Sequence, residues 1–183
     1  DFAAERNQKL TTFATGLMKI STKLAWVALS GMVLAASPAH AGKKDAPVTP
    51  ISIPTPPEGK GQIVFFRPGG MGAAIRCTVR ENGAMVTRVM GNRYDVIVAE
   101  PGPHSYTTKA ESTDTVNVEV EPGETTFVKC TIAMGIMAGR PNLSPSTKVE
   151  FDGKSKKLRP VDAAKIAADL EEDKKRRATG EKT

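Results

Sequence analysis

Histidine, cysteine and aromatic residues are scarce in this chain. Its 183 residues include two histidines, two cysteines and one tryptophan, and aromatics make up 5%. One of the two, His40, lies in a signal-like segment near the N-terminus, and His104 alone cannot build a multi-histidine metal centre; no HExxH pair is present. Cys77 and Cys130 do not form a CxxC, which excludes a zinc knuckle and a thioredoxin-type motif. So few aromatics exclude a large aromatic-rich core. Hydrophobic residues reach only 39%, below the usual share for a globular chain. No uninterrupted apolar run reaches 18 residues, which argues against a transmembrane helix in the mature protein. The length suits one domain with extensions.

The first recognisable segment is an address. Met18 to Lys23 is a short cationic head, Leu24 to Ala36 is apolar, and Ser37-Pro38 interrupts it. Ala39-His40-Ala41 then has the small-x-small pattern of a cleavage site. In this order the parts read as a secretory signal peptide from Met18 to Ala41. The alternative is a single membrane anchor, against which stand the short apolar stretch and Pro38. Residues 1–17 precede the start at Met18 and are an upstream read-through or a long leader, so 1–41 is set apart from the fold. The expected location is periplasmic or secreted.

Charge is unevenly placed. The formal net charge is +6, and the first 41 residues account for +2 of it. After Gly153 there are ten Lys/Arg against six Asp/Glu, so the basic character belongs to the tail. A neutral body argues against nucleic acid as a partner.

Four segments follow from composition: the leader 1–41, a Pro-rich linker 42–60, a β domain 61–152 and a basic tail 153–183. The linker carries Pro47, Pro50, Pro54, Pro56 and Pro57. Such density favours an extended spacer, the alternative being a disordered leader. The β domain shows short runs between turns. Ile63 to Phe66 is the first. Ile75, Cys77 and Val79 alternate with polar residues, and Asn82-Gly83 supplies a tight hairpin turn to Ala84–Met90. Tyr94–Val98, Ser105–Lys109, Val116–Val120 and Val128–Ile132 follow, with turns at 100–103 and 121–124. A last strand is expected near Thr147–Phe151. About eight strands predict an antiparallel β-sandwich or barrel, and the sandwich is the fold class expected here. The tail reads as a helix with Pro160 in its first turn. Ala163, Ile166, Ala167 and Leu170 form a narrow stripe, too small for firm docking.

Phe65-Phe66-Arg67-Pro68, Glu81-Asn82-Gly83, Pro101-Gly102-Pro103-His104, Glu121-Pro122-Gly123 and Met134 to Leu143 recur in an order that resembles the bacterial family called domain of unknown function 2846. The resemblance covers roughly Gly59 to Asp152. It implies an exported envelope protein and no catalytic residue. Some members look like lipoproteins, whereas this chain has no lipobox cysteine.

No motif specifies a reaction or a cofactor. Gly69-Gly70-Met71-Gly72 should open a helix to cradle phosphate, but a strand follows. Gly153-Lys154-Ser155 lacks the first glycine of a Walker motif, since position 148 is Lys. Asn142-Leu143-Ser144 is a glycosylation sequon without meaning in a bacterial protein. Glu119 and Glu121 share a strand face and read as a solvated face before they read as a glycosidase pair. His104, the one mature histidine, would need a nucleophile and an acid around it to act as a base, and its neighbour Ser105 points to the opposite strand face. The expectation is therefore a non-enzymatic binding or structural module of the cell envelope. The alternatives are a small hydrolase using His104, or a membrane-surface protein acting through the basic runs Lys154–Arg159 and Lys174–Arg177.

Two sets of site residues remain. Cys77 and Cys130 each sit on an apolar face, and an oxidising compartment would pair them; the alternative is two buried thiols. The second set follows from strand parity. Successive strands that alternate in direction put the tight turns 81–83, 100–103 and 121–124 at one end. The loops 68–74, 91–93, 111–114 and 133–144 then meet at the other. That end carries Met71, Met134, Ile136 and Met137 among glycines, which suits an adaptable surface for an envelope protein or polymer. The alternative is that these side chains fold back to cap the core.

Overall fold

The structure, a computed structural model, describes residues 49–136 and 139–180. The signal segment, the first part of the Pro-rich linker and Met137 lie outside the described residues. The chain order is β1 (Gly61–Arg67), β2 (Cys77–Glu81), β3 (Ala84–Val89), β4 (Arg93–Ala99), β5 (Gly102–Lys109), β6 (Thr113–Val120), β7 (Thr125–Ala133), β8 (Arg140–Ser146), α1 (Lys148–Lys154), β9 (Arg159–Pro160) and α2 (Ala163–Ala178). The described residues are thus mostly β, with a C-terminal helix. One sheet runs β8-β7-β1-β4-β9 and the other β3-β2-β5-β6.

The two sheets share one core in a sandwich-like arrangement. Period-2 alternation sends Ile63, Phe65, Val79, Tyr106, Val116, Val118, Val120 and Val128 into it. Phe65 meets Tyr106 edge-on at 5.0 Å. β1 is buried along its whole length because its other face is covered too. There Val64, Phe66 and Phe127 pack with Phe151 of α1 and with Leu158. Each of these large apolar side chains contributes about 1.5–3 kcal/mol by leaving water. Ile51 and Ile53 join that cluster. The Gln62 amide donates to the Pro54 carbonyl (2.5 Å) and Ser155 Oγ to the Thr49 carbonyl (3.1 Å). The end of the Pro-rich segment therefore lies along the body as extended chain.

Several expectations need correction. The sheets are not purely antiparallel: β1 pairs with β7, and β4 with β9, in parallel. Alternating direction sets which way each strand runs; it does not choose its neighbours. The last long strand is Arg140–Ser146, and Thr147–Phe151 opens a helix instead. Thr147 is its N-cap, Oγ1 accepting the Glu150 amide at 3.2 Å. Pro141 and Pro145 conceal this strand in the sequence. β8 is an edge strand, and every second amide faces away from β7. Leu143, in register with the prolines, sends its N–H outward to Asp114 Oδ2 on β6 (2.6 Å). Proline at those outward positions removes no ladder bond. Pro160 lies in β9 opposite Tyr94, and Asp162 caps α2, accepting the Lys165 amide.

α2 docks by a face that shares only Ile166 and Leu170, both half-buried, with the expected stripe. Ala163 and Ala167 are exposed, while Asp173 is buried. Asp169 pairs with Arg88 at 3.0 Å and Asp173 with Arg80 at 2.7 Å. Asp173 Oδ2 also accepts the Met85 amide from the open edge of β3 at 3.1 Å. Carboxylates thus occupy one edge amide on β3 and one on β8, which blunts both edges against pairing with other chains.

Candidate interaction surface at the long-loop end

β1 ends in Arg67 beside Pro68-Gly69-Gly70, where proline stops the strand and Gly70 takes φ 135°. The Arg67 side chain turns inward and is 1% exposed. It donates to the carbonyls of Ile75 (2.7 Å), Gly72 (2.5 Å), Met71 (3.3 Å) and Ala73 (3.3 Å). Burial lowers its pKa, yet a guanidinium stays charged. Four carbonyls around one buried cation hold the 71–75 loop in one shape. Gly72, at φ 66°, sits where a Cβ would come within 2.8 Å of Ile75 Cδ1, so the loop closes tightly on itself.

The other long loops join it. The Gly91 amide meets the Ala73 carbonyl at 3.4 Å. Glu111, between β5 and β6, accepts the Ile136 amide at 3.1 Å and pairs with Arg140 at 2.9 Å. Gly139 is packed against Ile75 and Ile132. The loops after β1, β3, β5 and β7 therefore meet at one end, as parity implies. Below them Cys77 and Cys130 are within bonding distance, their Cα atoms 6.6 Å apart, in the buried core. They tie the first strand after one loop to the last strand before another. A buried pair of this kind is compatible with an oxidising compartment.

Met71 is 66% exposed, Met134 77% and Ile136 89%. Among the described residues only two other large apolar side chains, Val98 and Val149, are comparably exposed, so the apolar exposure concentrates here. Ile75 and Ile132, both half-buried, lie against Gly72 and Gly139 at this end of the core instead. The three exposed residues do not fold back over it.

The opposite, tight-turn end holds His104. Its Nδ1 lies 2.5 Å from Glu81 Oε1 and its Nε2 2.8 Å from the Glu100 carbonyl, and its ring stacks on Tyr106. Both partners can accept, so the protonated ring, with an N–H on each nitrogen, satisfies both contacts. Burial by itself would lower the pKa; the Glu81 carboxylate and the Glu100 carbonyl outweigh it and raise it above the usual histidine value. A shallow depression beside it is lined by Ser105, Asn117 and Glu119. In its protonated form the ring has no lone pair with which to take a proton from Ser105. The other sequence-level candidates are placed as follows. Ser155, from the Gly-Lys-Ser run, is the C-cap of α1. Glu119 and Glu121 are exposed. No group of three His, Cys, Asp or Glu side chains that could hold a metal occurs among the described residues.

Sequence reading missed Arg67 and the two helix aspartates. For Arg67 a signal existed, a charged residue closing the run Ile63 to Phe66 before Pro-Gly-Gly. For Asp173 there was none, because the groups it docks against, the Met85 amide and Arg80, are 88 and 93 residues away.

A two-sheet β domain, pinned by a buried cysteine pair and presenting an apolar loop surface at one end, is the class that this fold and site define. No family model, curated protein or solved structure matches the chain.

Proposed function

We propose that the chain is an exported, non-enzymatic module of a cell envelope that docks a partner through its long-loop end. The reading joins the signal-like segment Met18–Ala41 and the family resemblance to the geometry of that end. The observation that carries it is the exposure of Met71, Met134 and Ile136 on loops that are firmly held from beneath. Leaving such side chains in water forgoes about 1.5–3 kcal/mol each, which a binding role accounts for and a purely structural one does not. The antiparallel sandwich of the sequence reading becomes, in this proposal, a sandwich with one mixed sheet.

The test replaces Met71, Met134 and Ile136 together by Ser and crosslinks the protein in its own envelope fraction. Adducts should be lost while the melting temperature stays within about 2 °C, as for exposed positions. A loss of several degrees with adducts intact would show that these side chains serve the core, and would end the proposal.

A further inference from the structure

Beside the long-loop end lies a cleft of about 230 Å³ between α2 and strands β3 and β4. Met90, Val161 and Ile166 form its apolar part; Arg76, Arg93 and Lys165 stand around it. The carboxylates in it are already engaged. Asp162 caps α2 and Asp169 pairs with Arg88. Arg93 gives one donor to the Pro160 carbonyl at 3.1 Å. Arg76 and Lys165 are exposed and have no carboxylate partner among the described residues. The cleft and the long loops are linked through the chain: Arg76 follows the loop that carries Met71, and Met90 precedes Gly91, whose amide meets the Ala73 carbonyl.

We infer that the partner of the long-loop end is an anionic phospholipid surface. This rests on the loop-end docking reading and names its partner. Unbranched and branched apolar side chains on tight glycine loops enter the boundary between headgroups and acyl chains, and uncompensated cations beside them meet lipid phosphates. The cleft adds an amphiphilic seat, cationic around an apolar part, which matches a phosphodiester joined to a lipid. A protein partner would instead be expected to bring carboxylates to Arg76 and Lys165. The basic run Lys174–Arg177 lies at the far end of α2, near Arg80 and Asp173. Contact through the loops and contact through the tail are therefore separable.

The experiment uses the full chain with a photo-crosslinking residue in place of Met134, and in a second protein in place of Asn82 at the tight-turn end. Each is irradiated with vesicles of phosphatidylcholine alone and with vesicles holding one-third phosphatidylglycerol. Lipid adducts should form from position 134 on the anionic vesicles, be several-fold fewer on the neutral ones and scarce from position 82. One cation near an anionic surface is worth roughly fivefold in partitioning, so Arg76→Gln with Lys165→Gln should lower the position-134 adducts about 25-fold. Lys174→Gln with Lys175→Gln should leave them nearly unchanged. Equal adducts on both vesicles, equal adducts from position 82, or loss only with the tail substitutions would each overturn the inference. Protein adducts from position 134 in the envelope fraction, with no lipid adducts, would overturn the lipid partner and keep loop-end docking. Absence of both kinds would overturn both.

Discussion

Replacing Asp173 by Ala should detach α2 from the β3 edge, and the size of the effect follows from three contacts. Asp173 is 3% exposed on its side chain and Arg80 is 15% exposed, 2.7 Å away. Removing one member of a buried pair costs about 3–5 kcal/mol when the remaining charge cannot escape. Arg80 retains some water and a bond to the Gly83 carbonyl at 3.0 Å, so the lower end applies. Losing the acceptor of the Met85 amide adds about 1–3 kcal/mol if that amide stays dry. Both penalties are relieved once the helix leaves, so the total cannot exceed the free energy of docking. That docking also includes Arg88–Asp169 and the half-buried Ile166. We expect about 3 kcal/mol, or about 12 °C in melting temperature for a domain of this size. Asp173→Asn keeps an acceptor for Met85 and loses only the charge, so it should cost about half as much. Acid should mimic the substitution. Burial would raise the Asp173 pKa, but Arg80, the Met85 amide and Arg176 outweigh it and lower it. Its stabilisation is therefore present above the ordinary Asp pKa and disappears as pH falls through the lowered value. Urea and thermal unfolding, with exchange at the Met85 amide, measure all of this. A D173A protein within about 0.5 kcal/mol of wild type would refute the reasoning, since that is the range of ordinary surface changes.

Three further outcomes are expected. Converting Cys77 and Cys130 to Ala should cost about 4 kcal/mol, the chain-entropy value for this loop, seen as a lowered urea midpoint; unreduced protein should show no alkylatable thiol. His104 should make stability fall as pH rises. Its folded pKa is raised, so its contribution is complete below the ordinary histidine value and lost as pH climbs through the raised one; His104→Gln should flatten urea midpoints over that window. Arg67→Met should leave four carbonyls of the 71–75 loop without their donor, cost a few kcal/mol and speed amide exchange in that loop; exchange unchanged from wild type would show that the arginine does not hold it.

Much of this protein was legible because local rules act over two to eight residues. Alternation marked β2, β4, β6 and β7 and put Cys77 and Cys130 on inward faces. Asn82-Gly83 marked its hairpin turn, and both residues do take positive φ, 50° and 78°. Parity put the four long loops at one end before any strand partner was known, because a reversal at each turn needs no tertiary information. Other features required the assembled fold. β1 reads as a short apolar run, and only the α1 side of its sheet explains why both its faces are buried. The edge position of β8 makes a segment with two prolines a strand, since what matters is which way each missing amide would have pointed. Pairing β1 with β7 in parallel joins segments about 60 residues apart, a choice made by shared burial and not by any turn. The same holds for α2. Its sequence shows a weak apolar stripe, but the face that docks carries Asp169 and Asp173, and carboxylates become docking groups only where the fold has placed Arg88, Arg80 and an open strand edge opposite them.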